Sequence, residues 1–165
     1  MIQMNNAKTA FLTLAILWLS ACASSNGSAH KDNTSGAVEI PRLSQLNTES
    51  LPEGQCGMLL WTMNAGQPVL VFRTIAGGQA EVMLDGKKQK FLPLAQKGDI
   101  RFGIGSRQSY RSVMGGNSQT IEINVEYGAS FGGGVYVEEG VLRLITAQGW
   151  ERVIPVAGLS GCRKA

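Results

Sequence analysis

Residues 120–127 of the chain alternate without a break: Ile121, Ile123 and Val125 fall on one side, Glu122, Asn124 and Glu126 on the other. A period of two residues sends one face into a core and the other into water, which predicts a half-buried antiparallel strand. Shorter apolar runs precede it. Met58–Thr62 and Pro68–Arg73 flank Asn64-Ala65-Gly66, a hairpin signal. Glu81–Leu84 and Lys87–Phe91 flank Asp85-Gly86, a dipeptide suited to the left-handed backbone of a type I′ turn. Downstream, Val135–Val137 and Val141–Ile145 read as two strands joined through Glu138-Glu139-Gly140. Trp150–Val156 reads as the last strand, demoted toward an edge by Pro155. The polar stretch Gly105–Tyr110 reads as a loop between strands. No window holds a 3.6-residue apolar period over three turns. The expected fold is all-β, an antiparallel barrel or sandwich of about eight strands. Edge protection favours closure into a barrel.

The first 53 residues follow other rules. Lys8 and the free amino terminus precede an apolar run, Ala10–Leu19. That run falls short of the ~20 residues a membrane-spanning helix needs, and reads as the hydrophobic region of a secretory signal. From Ala23 the composition turns Ser/Asn/Gly-rich, as in a flexible linker. About 30 such residues span roughly 30 Å as a random coil. The expected organisation is a signal peptide over 1–21, Cys22 with a flexible tether over 22–53, and a β domain over 54–165.

Leu19-Ser20-Ala21-Cys22 resembles the lipobox of bacterial lipoproteins. The resemblance implies cleavage before Cys22, a diacylglycerol on its thiol and an N-acyl chain on the new amine. Two or three such chains hold a protein stably to a membrane. No other cofactor is expected. By the sorting rule of that class, Ala23 rather than Asp after the Cys implies the outer membrane, with the domain in the periplasm.

Only three Cys and one His occur in 165 residues. With Cys22 carrying lipid, Cys56 and Cys162 are left bracketing the domain in an oxidising compartment, where thiols pair. A Cys56–Cys162 disulfide is the expectation. His30 lies in the tether, so the β domain has no His for a Ser-His-Asp triad, a Cys-His pair or a His-based metal centre. Phe131–Gly134 and Gly103–Gly105 lack the helix N-terminus that cradles a phosphate. No enzyme and no metal site are expected. The enzymatic alternative is a glycan-cleaving pair of carboxylates, Glu122 and Glu126.

Charge adds a direction. Lys87, Lys88, Lys90, Lys97, Arg101, Arg107 and Arg111 are opposed over that stretch only by Asp99. Such a field attracts anionic envelope material in a salt-sensitive way. Nucleic acid is not an expected partner outside the cytoplasm.

Cys56–Thr62 followed by Pro68–Phe72 resembles a group of small, functionally uncharacterised bacterial envelope lipoproteins, a likeness that brings no activity with it. The chain is also similar to the membrane-bound inhibitors of C-type lysozyme. These are lipobox-anchored, disulfide-clasped β-barrels with a Ser-Gly-x-x-Tyr loop for the lysozyme cleft. The matching positions are Ser106 and Tyr110, with Arg107 standing where that family keeps Gly. The resemblance implies a loop presenting Ser106, Arg107 and Tyr110 to catalytic carboxylates. The leading expectation is a non-enzymatic outer-membrane lipoprotein whose β domain binds another envelope component, protein or glycan, in an integrity or assembly role. Candidate contact residues are Ser106, Arg107, Tyr110, Lys87, Lys88, Lys90 and Arg101. The alternatives are a muramidase inhibitor acting through residues 105–110 and the carboxylate enzyme.

Overall fold

The computed structural model describes residues 40–47, 50–63, 66–112 and 118–165. Within them run nine strands and no helix: β1 (Leu43–Ser44), β2 (Cys56–Thr62), β3 (Leu70–Ile75), β4 (Ala80–Leu84), β5 (Lys87–Arg101), β6 (Ile104–Ser112), β7 (Thr120–Phe131), β8 (Gly134–Ile145) and β9 (Glu151–Cys162). The signal segment, Cys22, His30 and the turn at Asn64-Ala65 lie outside the described residues.

From β2 to β9 each strand pairs antiparallel with the next in sequence, and β9 returns to β2 in register from Cys56↔Cys162 to Thr62↔Val156. Of the two expected architectures the protein is therefore the barrel, closed and eight-stranded, with β1 as an extra strand. Closure removes free sheet edges, and the seam carries the Cys56–Cys162 disulfide. Asp85 and Gly86 both have positive φ, 48° and 73°, so the β4–β5 connection is the two-residue turn their sequence predicts.

Eight strands enclose a space that side chains can just fill. Met58, Leu60, Phe72, Phe91, Ile121 and Leu144 fill it here and are wholly buried. Phe72 meets the Tyr110 ring edge-on, at a centroid distance of 5.7 Å. Outside, β7 presents Glu122, Asn124 and Glu126, the reverse of the apolar band on a lipid-spanning barrel.

Two strand assignments made from sequence are corrected, and they offset each other in the count. Val135–Val137 and Val141–Ile145 are one strand, β8. Glu138 and Glu139 are not a hairpin tip but sit in a bulge, where the register against β9 shifts between Val137 and Gly140. A bulge and a turn share the same polar, Gly-containing signature. Conversely, Gly105–Tyr110 is not a loop but the body of β6. Its inward residues include Gln108 and Tyr110, so the apolar alternation that announces a strand is missing.

The ordered body also begins before residue 54. Leu43 and Ser44 pair with Leu84 and Met83, and the Leu46 amide donates to Leu70 O at 2.7 Å, so this segment lies between β4 and the start of β3. Asp85 Oδ1 accepts from the Arg42 amide at 2.9 Å. Further along, Arg163 bonds Ser50 Oγ at 2.6 Å and Leu51 O at 3.0 Å, and Leu51 is buried. Where Leu51 crosses β2, Gly57 is required. A Cβ there would lie 2.2 Å from Thr74 O and 2.6 Å from Leu51 Cδ2. Gly57→Ala is expected to cost about 1–3 kcal/mol by overpacking, read as a lower urea midpoint at unchanged slope.

Candidate functional site

Buried polar side chains of the barrel strands include Thr74, Gln108 and Ser160. Tyr110 Oη donates to Gln108 Oε1 and lies 3.2 Å from Thr74 Oγ1, while Gln108 Nε2 donates to Met58 Sδ at 3.6 Å. Tyr127 Oη donates to Ile104 O at 2.9 Å. Burial pushes the Tyr110 phenol above its ordinary value and takes Tyr127 to about 12. An unfolded tyrosine loses its proton near 10, whereas the folded chain keeps Tyr127 protonated well beyond that. The Tyr127 contribution to stability is thus full below about pH 10 and is lost as pH rises toward about 12. Tyr127→Phe, with no proton to lose, is expected to flatten that fall in urea midpoints taken between about pH 9 and about pH 12.

This interior arrangement corrects the expected lysozyme-type loop. Tyr110 is only 4% exposed, committed to the core beside Phe72. Along β6, Arg107 points outward, while Ser106 shares the opposite face with Gln108 and Tyr110. Ser106 Oγ accepts from the Asp99 amide at 3.1 Å. The three residues are not presented together.

The basic residues of 87–111 also separate. Lys88 reaches Glu81 at 3.3 Å, and Glu81 also holds Arg73 at 2.6 Å. Lys90 faces outward opposite Glu81, and Lys87 sits beside the Asp85-Gly86 turn. Arg101 lies at the far end of β5, paired with Asp99 at 2.9 Å, and its carbonyl accepts from Ser160 Oγ on β9. Lys97 and Arg107 do come together, directly opposite each other across β5 and β6.

They open onto a groove of about 490 Å³ on the outside of the barrel. β7 contributes Glu122 and Asn124 to its lining, and β8 contributes Arg143. Register explains the gathering. Lys97, Arg107, Asn124 and Val141 form one cross-strand row, and Ser109, Glu122 and Arg143 form the next. A second depression of about 500 Å³ shares Asn124 and Val141 and adds Glu126 and Glu139. Glu122 and Glu126 therefore lie in adjoining depressions and are both exposed. Sequence reading missed Arg143 and Asn124. Their signal was present as the polar positions between inward residues of β7 and β8, but a strand pattern does not reveal which strands adjoin.

Fold and groove together define a class: a closed, disulfide-clasped antiparallel barrel with a filled interior and a polar outer groove of mixed charge. The chain matches no family model, no curated protein and no solved structure.

Proposed function

We propose that the protein is a non-enzymatic lipoprotein of the outer membrane, anchored through acyl chains on Cys22, whose barrel binds another envelope component, protein or glycan, at its outer groove. The observation that carries this reading is the contrast between inside and outside. The interior is packed with buried apolar side chains, whereas Lys97, Arg107 and Arg143 gather around a groove open to solvent. A ligand met outside needs no space within, and exposed cations supply charge-assisted hydrogen bonds to its carboxylates or phosphates. The disulfide supports the anchor, since Cys56 and Cys162 occupy each other and leave Cys22 for lipid. Intact-mass measurement of the chain from the envelope fraction is expected to give a start at Cys22 with the added mass of its acyl chains. Cross-linking in intact cells is expected to capture a non-lipid envelope component. An unmodified Cys22, or a chain that captures nothing, overturns the reading.

A further inference from the structure

Two features, one in the groove and one in the adjoining depression, work against the stability of the sheet that builds them. Lys97 and Arg107 face each other directly across β5 and β6, and Glu126 and Glu139 do the same across β7 and β8. Like charges directly opposite on neighbouring strands repel. Among the described residues, no ion pair within 4 Å relieves any of the four. Exchanging one cation for one carboxylate would turn two repulsions into two attractions. Instead the sequence keeps two cations at one place and two carboxylates at another, on the outward side of adjoining strands.

A ligand that carries one charge of each sign cures both repulsions at once. From the register, Glu126 lies one strand across and two residues along from Arg107. With strands ~4.8 Å apart and a rise of ~3.4 Å per residue, the centres of the two charge pairs are about 12 Å apart. An extended chain covers ~3.3–3.6 Å per residue, so about three or four residues bridge that distance. Asn124, common to both depressions, lies between the pairs and offers an amide donor and acceptor to a peptide backbone. A purely anionic ligand meets Glu126 and Glu139, and a purely cationic one meets Lys97 and Arg107.

We infer that the groove and its adjoining depression together take a short zwitterionic peptide, its carboxylate on Lys97 and Arg107 and its ammonium group between Glu126 and Glu139. The inference rests on the envelope-binding reading above and names the ligand class for that site.

The test titrates the full chain, purified in detergent, with tetra-alanine free at both ends, its N-acetyl form, its C-terminal amide and di-alanine. Tetra-alanine is expected to bind, and capping either end to weaken it about 10-fold. Di-alanine, too short to span the pairs, is expected to bind no better than the capped forms. Lys97→Gln with Arg107→Gln should abolish the penalty for amidation alone. Glu126→Gln with Glu139→Gln should abolish the penalty for acetylation alone. Without ligand, Glu139→Lys should raise Tm by about 1–4 °C by relieving the repulsion. Capped forms that bind as well as the zwitterion overturn the inference, as does failure of all four peptides to bind. If the peptides fail while cross-linking in cells still captures an envelope component, the groove's ligand assignment is lost and the binding reading stands. If tetra-alanine binds as stated but cells yield no adduct, the reverse holds.

Discussion

Replacing Cys56 and Cys162 together with Ala is expected to destabilise the barrel by about 2–5 kcal/mol. The two residues face each other at the end of the β2–β9 seam, with a sequence separation of 106. β2 and β9 are the first and last barrel strands, so their pairing must overcome the largest loop-closure entropy in the fold. The bond removes much of that entropy from the unfolded chain, up to about 4.7 kcal/mol for a loop of this length on the chain-entropy account. Net stabilities of domains lie near 5–15 kcal/mol, so the loss is a large part of the whole. Urea unfolding of the variant beside the wild type, with and without reductant, checks this. Reductant should bring the wild type down to the variant and leave the variant unmoved. A difference below about 1 kcal/mol would mean that the backbone ladder and core hold the seam unaided.

Phe72→Ala is expected to cost about 3–5 kcal/mol. Phe72 is wholly buried within the apolar cluster and packs edge-on against Tyr110. Removing its ring takes apolar area from the core and opens a cavity that a closed ring of strands cannot collapse to fill. The control is Trp150→Ala. Trp150 is a larger side chain but 56% exposed at the β8–β9 turn, and its loss should move the urea midpoint by no more than about 0.5 kcal/mol equivalent. Comparable costs for the two would contradict the assignment of Phe72 to the interior and Trp150 to the surface.

Much of the fold was legible because it is written in local signals. The alternation at 120–127 predicts β7 and its two faces, and Asp85-Gly86 predicts a turn whose two positive φ values the structure has. The Cys56–Cys162 pairing was legible because these two are the only Cys within residues 54–165, near its two ends. β6 was hidden by its chemistry, because an inward-facing Gln108 and Tyr110 look like loop residues unless the barrel that satisfies them is known. The bulge at Glu138–Gly140 was hidden by its resemblance to a turn. The tether boundary was placed late because β1 is only two residues long, too short for any period. The groove was the least legible feature. Lys97 and Arg107 were visible in the basic stretch, but Arg143 joins Glu122, Ser109 and the adjoining row only through the register of four strands.

The proposed function has the barrel binding from its outside, at the groove bordered by Lys97, Arg107 and Arg143. A photo-activated cross-linking residue placed at Asn124, within the groove, and in a separate strain at Lys90, outward-facing on β5 opposite Glu81, tests it in living cells. The prediction is a discrete adduct with an envelope component from position 124 and none from position 90. Silence at position 124, or the same adduct from both positions, would contradict it.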